Sequence, residues 1–257
     1  MSTNGFQLEI NGVSKHFGAL RAVDEVSFDV KNGELIGLIG PNGAGKTTLL
    51  NLITGTYRKT KGSVRFQDID ISTYTPDHVA KVGIARTFQI TKPLVGMTVE
   101  ENVMTGALFG SAGRSATVKA ARNKAHECLQ LAGMYERRDQ PVSRLTVPDR
   151  KRLELARALA TDPHLLLLDE VMAGLRPTEV DESLGLIRKV NEEMNITIIF
   201  IEHVMRAVMS ISGRVIVLNY GKKIAEGTPD QISRNSQVIE AYLGKKYVER
   251  RMSDGQQ

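Results

Sequence analysis

The segment Gly40-Pro41-Asn42-Gly43-Ala44-Gly45-Lys46-Thr47 constrains this chain more than any other stretch. It fits G-x-x-x-x-G-K-[ST], a loop whose successive backbone N–H groups curl around phosphate oxygens. Each residue type has a reason. Glycines remove the Cβ atoms that would hold the backbone away from an anion. The helix that follows turns its N-terminus, with its partial positive charge, toward the same anion. Lys46 adds a full charge for β- and γ-phosphates, and Thr47 offers a hydroxyl to Mg²⁺. The context agrees. Leu35-Ile36-Gly37-Leu38-Ile39 reads as a strand covered on both faces and runs directly into the loop. Beyond it Leu49, Leu52 and Ile53 fall on one side of a helix. A merely structural glycine turn would leave Lys46 without a purpose.

Elsewhere two patterns alternate. Phe6, Leu8 and Ile10 share one face, and Val26, Phe28 and Val30 repeat the arrangement. Period-two alternation predicts half-buried antiparallel strands. Val64-Arg65-Phe66 reads as a further edge strand after Lys61-Gly62-Ser63. Leu165–Leu168, Thr197–Ile201 and Val215–Leu218 have the dense apolar character of buried strands. Between the first two, Val180, Leu184, Ile187 and Met194 predict a helix from Glu179 to Met194, capped by Thr178. This alternation implies a parallel sheet with covering helices. From Pro93 to Ala160 no strand pattern occurs; alanine, arginine and lysine dominate, with glycine breaks at Gly106, Gly110, Gly113 and Gly133. The expected organisation is an α/β core over 1–92 and 161–230 with an N-terminal antiparallel β subdomain. A helical subdomain over 93–160 is inserted into it, and a C-terminal helix and polar tail occupy 231–257.

Two strand ends carry chemistry. Leu165-Leu166-Leu167-Leu168 terminates in Asp169-Glu170, which places carboxylates at the carboxyl edge of the sheet, where α/β folds bind ligands. With a phosphate loop upstream, Asp169 is the candidate to hold Mg²⁺ through water, and Glu170 to orient or deprotonate an attacking water. Ile199-Phe200-Ile201 ends likewise in Glu202-His203, which sets His203 beside the expected γ-phosphate. The other four histidines show no metal-ligand spacing.

Composition narrows the classes. The 257 residues suffice for a full core, and 41% hydrophobic with 25% charged residues excludes a disordered or collagen-like chain. Cys128 is the single cysteine, so no internal disulfide can form, which fits a reducing compartment. The longest apolar runs fall far short of the roughly 20 residues that span a bilayer. Met1-Ser2-Thr3-Asn4-Gly5 has neither the basic start nor the apolar stretch of a secretion leader. A cytoplasmic chain is expected, with any membrane role exercised through other subunits. The net charge of +5 has its signs interleaved; the local excesses are Arg150-Lys151-Arg152 and the tail around Lys245-Lys246 and Arg250-Arg251.

Several segments together give the chain a family likeness. Lys15-His16-Phe17-Gly18-Ala19-Leu20, the glycine-rich loop, Arg86-Thr87-Phe88-Gln89, Asp169-Glu170, Ala173-Gly174-Leu175-Arg176-Pro177-Thr178, Ile201-Glu202-His203 and Leu243-Gly244 carry it. Across Phe6 to Gly244 the chain resembles the ATP-binding subunits of ABC transporters, and more narrowly the branched-chain amino-acid transport ATPases. The resemblance implies a P-loop NTPase fold: a RecA-like core with an antiparallel β subdomain and an inserted α-helical subdomain. It implies ATP and Mg²⁺ as cofactors, with Phe17 stacking on adenine and Gly40, Pro41, Asn42, Gly43, Ala44, Gly45, Lys46, Thr47 and Thr48 holding the nucleotide. Thr47, Gln89 and Asp169 would serve the metal; Glu170, His203 and Gln89 would serve hydrolysis, with His203 on the γ-phosphate. The implied partners are transmembrane permease subunits, a second ATPase subunit and, indirectly, an extracytoplasmic solute-binding protein. The implied place is the cytoplasmic face of the inner membrane, with Ile90–Gly96 near the groove that receives the permease.

One segment departs from the family pattern. Where relatives carry Leu-Ser-Gly-Gly-Gln, whose N–H groups cover the partner's γ-phosphate, this chain has Leu145-Thr146-Val147-Pro148-Asp149. Pro148 has no N–H to give, and Asp149 sets negative charge where a phosphate would approach. The same residues also make a good capped helix start. Arg176 likewise stands where many relatives carry an acid. The expectation is a chain that acts on its own ATP but offers a poor signature to its partner, which favours a heterodimer over a homodimer. Two rival readings accompany it: an ABC-type ATPase acting on nucleic acid, and an ATP-dependent regulatory subunit without turnover.

Overall fold

The computed structural model describes residues 6–87, 92–111 and 117–243. The chain divides into two compact units, Met1–Thr73 with Phe200–Gln257, and Tyr74–Ile199.

The first unit begins with the long strands β1 (Phe6–Phe17) and β2 (Leu20–Lys31), joined through Gly18 in the left-handed region and paired antiparallel. Leu8, Ile10, Val13, Val26, Phe28 and Val30 are buried, which is the expected alternation made solid. Strand β3 (Leu35–Ile39) is buried at every residue and delivers the chain to the glycine-rich loop. Helix α1 (Lys46–Ile53) follows and buries Leu49, Leu50 and Ile53, each worth roughly 1.5–3 kcal/mol of transfer free energy. Strands β4 (Lys61–Phe66) and β5 (Ile69–Asp70) complete a four-stranded sheet ordered β2-β1-β4-β5. β4 is therefore an interior strand, not the edge its sequence suggested. The two-residue β5 takes the edge, and it is too short to show a hydrophobic period.

The second unit opens with the short helix α2 (Pro76–Lys81) and strand β6 (Ile84–Arg86). Helices α3 (Val99–Phe109), α4 (Val118–Leu131) and α5 (Val147–Ala160) then pack on one another, as the helical insertion predicted. α3 starts with a full capping box: the Thr98 hydroxyl accepts the Glu101 N–H, and the Glu101 carboxylate accepts the Thr98 N–H at 2.7 Å. Gly106 is not a break. It lies inside α3, where an added Cβ would meet the Arg157 carbonyl of α5 at 2.3 Å, so it sets how closely the two helices approach. Gly110 does end α3, Gly133 turns the chain after α4 at φ 66°, and Gly113 lies outside the described residues.

Strand β7 (Leu165–Asp169) pairs in parallel with β6, setting Arg86 opposite Leu167. Helix α6 (Pro177–Met194) begins two residues before the expected start. Its first position is Pro177, whose missing N–H costs nothing there, and the Glu179 carboxylate accepts the Arg176 N–H at 2.8 Å. Thr178 is thus a helical residue and not the cap. Strand β8 (Thr197–Ile201) contains the boundary between the units.

The chain then returns to the first unit with α7 (Met205–Ile211), β9 (Arg214–Asn219), β10 (Lys222–Gly227), α8 (Pro229–Arg234) and α9 (Ser236–Leu243). β9 pairs in parallel with β3 and antiparallel with β10. Tyr220 and Gly221 join β9 to β10 with φ of 46° and 79°, the two positive angles of a turn that suits a twisted hairpin. Arg214 ties this segment down: its guanidinium pairs with Glu34 at 2.6 Å and with Glu226.

Candidate functional site

The loop after β3 is shaped by neighbours that tolerate no side chain. A Cβ on Gly40 would stand 2.1 Å from the Leu218 carbonyl oxygen, and one on Gly45 would stand 2.3 Å from that of Ala22. Gly45 is also left-handed, at φ 100°. It provides no side-chain cap for α1, so the first-turn N–H groups keep their affinity for an anion. Ala44 donates to Pro41 O at 3.1 Å within the loop, and Gly221 of the β9–β10 turn donates to Ala44 O at 3.0 Å.

The Lys46 ammonium is buried and donates to the carbonyls of Gly40 at 2.7 Å and Pro41 at 3.1 Å. It therefore lies folded over the loop whose phosphate it would neutralise. Asn42, Gly43 and Thr47 are exposed, and Thr48 is half-buried.

Phe17 closes β1 at the hairpin end and is 44% exposed, so it is not a core aromatic. Its ring meets Tyr57 edge-on at 5.5 Å, with the Lys15 ammonium 4.8 Å from its centroid. Lys15 is held there by the Arg58 carbonyl at 2.8 Å. A part-exposed aromatic side chain of this kind can take a stacked base.

His203 belongs to the same unit as the loop and is exposed just beyond β8, while the adjoining Glu202 is buried.

In the second unit Asp169 ends β7 with its side chain 1% exposed. Arg86 of β6 reaches its Oδ2 at 2.7 Å, and the Asp169 N–H donates to the Thr87 hydroxyl at 3.3 Å. The other carboxylate oxygen, Oδ1, is buried and has no hydrogen-bond partner among the described residues. An orphaned carboxylate oxygen is what a water bound to Mg²⁺ would satisfy, so the residues fit the metal the motif implies. Among the described residues no three His, Cys, Asp or Glu side chains form a metal cage.

Glu170 follows in the left-handed region at φ 52°, an uncommon state for a residue with a long side chain. Gln89, the remaining candidate, lies outside the described residues. The Arg86–Asp169 pair is the feature the sequence did not announce. It depends on the parallel register of β6 and β7, and a three-residue strand leaves no periodic signal.

The segment after Leu145 folds as a capped helix start. The Thr146 hydroxyl accepts the Asp149 N–H at 3.4 Å and donates to the Asp149 carboxylate at 2.6 Å, and Arg137 binds the same carboxylate. Burial pushes the Asp149 carboxyl up, but the Thr146 hydroxyl and the Arg137 guanidinium outweigh it and hold it below its ordinary range. Pro148 occupies the first turn of α5, where its missing N–H is harmless to the helix. The Thr146 hydroxyl and the Asp149 carboxylate are thereby engaged within the protein.

A family model described as ABC transporter matches residues 23–173, from the N-terminal sheet through the acid-ended strand. This chain belongs to the ABC transporter ATP-binding family. A second model, branched-chain amino acid ATP-binding cassette transporter, matches residues 222–248 of this ABC subunit. The high-affinity branched-chain amino acid transport ATP-binding protein LivG of Salmonella typhimurium is 39% identical over 249 residues, covering 93% of this chain and 98% of its own. Its counterpart BraF of Pseudomonas aeruginosa is 37% identical over the same shares. The solved ADP conformation of MJ1267, an ATP-binding cassette of an ABC transporter, superposes with a TM-score of 0.82 at 30% identity. That superposition covers 93% of this chain and 99% of the other. The P-loop NTPase fold and the ABC-transporter ATPase expected from the sequence are borne out. Subunits of this family dimerise and work with transmembrane permeases. No helix among the described residues is long and apolar enough to cross a membrane itself.

Proposed function

We propose that this chain is the ATP-hydrolysing subunit of an importer of branched-chain or closely related amino acids, bound peripherally at the cytoplasmic face of the inner membrane. The observation that carries this reading is the buried Lys46 folded over a glycine loop, in a chain whose C-terminal residues 222–248 match the branched-chain cassette model. Phe17 stacks on the adenine, and Gly40 to Thr48 bind the phosphates. Lys46 exchanges its carbonyl partners for the β- and γ-phosphates as nucleotide enters.

Thr47, Asp169 and Gln89 would hold Mg²⁺, which would supply positive charge to the phosphates. Glu170 orients the attacking water and accepts its proton, and His203 steadies the γ-phosphate. ATP binding closes two ATPase subunits on each other, and hydrolysis with product release reopens them, driving the permease between its two facing states. Leu94 and Val95, both exposed and the latter 84% so, support a permease contact along the segment to which they belong.

The committed hydroxyl of Thr146 and the missing N–H of Pro148 favour a heterodimer with a second ATPase that carries an intact signature. In that pair the competent site is built on this chain's Lys46, Glu170 and His203. No nucleic-acid partner belongs to this account.

In the reconstituted transporter, ATP hydrolysis should rise when the solute-binding protein is loaded with leucine, isoleucine or valine. Stimulation only by an unrelated solute would overturn the substrate assignment.

A further inference from the structure

Helix α5 is tied to the turn that follows β7 through one side chain. Lys151, half-buried and one helical turn beyond Val147, the first residue of α5, donates from its ammonium to the Ala173 carbonyl at 2.5 Å. Ala173 also closes a turn on Glu170, because its N–H donates to the Glu170 carbonyl at 3.2 Å. Ala173 is thus held on both sides, by Lys151 at its carbonyl and by Glu170 at its N–H. The turn has reason to need the tie. Its backbone is left-handed at Glu170, with φ 52°, and again at Gly174, with φ 77°. Beneath it the apolar packing is incomplete. Val171 and Leu175 line a cavity of about 30 Å³ together with Leu155 of α5 and Ile187 of α6, and Lys151 borders the same space. Side chains beside a void lose dispersion contacts on that side, so the turn leans on its polar tie.

We propose that Lys151 is a positioning residue for hydrolysis. By holding the Ala173 carbonyl it fixes the turn that begins at Glu170, and so sets where the Glu170 carboxylate stands. The inference rests on Glu170's being the group that orients the attacking water. An ammonium gives a charge-assisted hydrogen bond, roughly twice as strong as a neutral one, to a turn with little apolar support below it. Placement of this kind acts on rate: a group misplaced by about 1 Å can cost about a hundredfold. Lys151 acts through the turn and not on a reacting atom, so nucleotide affinity is untouched. Val147, Pro148 and Asp149 form the first turn of the same helix. The altered signature segment and the turn that carries this chain's own base are therefore joined through α5.

The test is steady-state ATP hydrolysis by the assembled transporter, with Lys151→Met, Lys151→Arg, Glu182→Gln and Glu170→Gln placed in turn in this subunit. Methionine keeps a stem of similar length and removes the ammonium. It should lower kcat about tenfold and leave KM for ATP unchanged. Arginine restores a cationic donor and should recover most of the lost kcat. Glu182→Gln breaks the ion pair that Arg152 makes from α5 to α6, away from the turn, and should leave kcat at its natural value. The unfolding midpoint of the Lys151→Met chain should match that of the Glu182→Gln chain. A natural kcat in Lys151→Met would overturn the proposal, as would a rise in KM with kcat unchanged, or a Lys151→Arg no better than Lys151→Met. So would an equal loss of kcat in Glu182→Gln, because the effect would then be a general loosening of α5 against α6. Normal hydrolysis by Glu170→Gln would instead sink the role of Glu170 on which the proposal rests.

Discussion

Single residues in this chain have roles that their surroundings explain. Glu170 is held at φ 52° directly after a buried aspartate, and its carboxylate is the group assigned to water. Glu170→Gln keeps the size and removes the base, so turnover should fall by at least about two orders of magnitude while ATP binding persists. Measuring ATP affinity and steady-state phosphate release on the same sample separates the two; normal release would remove Glu170 from the mechanism. Cys128 has the opposite character. Burial pushes its thiol up to about 11 from an ordinary 9.0, so at neutral pH it is protonated and inert. A raised folded pKa means its contribution is fully present below pH 9 and is lost as pH climbs from 9 through 11. Cys128→Ala should therefore lose less stability than the natural chain over that window, a difference of about 2 kcal/mol. Urea unfolding at pH 8.5 and 10.5 tests it, and equal losses would count against the assignment.

At the scale of elements, two contacts connect sequence to site. The Arg86–Asp169 pair joins β6 to β7 in the interior, with both side chains at 5% exposure or less. Arg86→Met would leave a buried carboxylate without its cation, and should cost about 3–5 kcal/mol in denaturant unfolding. A change below about 1 kcal/mol would mean that the pair is not what anchors Asp169. The start of α5 is capped by Thr146, so Thr146→Ala should cost about 1 kcal/mol by the same measurement.

These elements also show what could be read beforehand. The phosphate loop, the buried strand ending in Asp169-Glu170 and the helical insertion were all legible, because motif chemistry and hydrophobic period are local. Three things were not. β6 and β5 are too short to show a period. β4 is interior only because β5 pairs with it. The engagement of Asp149 by Arg137 joins residues from different elements, and only folding brings them together. Gly106 lies inside α3 and not at a break for a related reason: its purpose is the approach of α5, which no local pattern records.

For the whole molecule, the proposed roles of the two nucleotide-facing parts are unequal. On the proposed function this chain acts on its own nucleotide and covers its partner's poorly, because the Thr146 hydroxyl and the Asp149 carboxylate are engaged internally. Replacing Pro148 and Asp149 together, by glycine and glutamine, would restore an N–H and remove the negative charge. The doubly substituted chain alone should then hydrolyse ATP faster than the natural chain alone, at some cost in helix stability. The measurement that bears most directly on the account is steady-state Mg-ATPase activity of the purified natural chain, first alone, then with its permease subunits and the candidate second ATPase. Near-zero activity alone with strong activation in the full mixture is the predicted result. Rapid, cooperative hydrolysis by the chain alone would contradict it, and would show Thr146-Val147-Pro148-Asp149 to be a working signature in a homodimer.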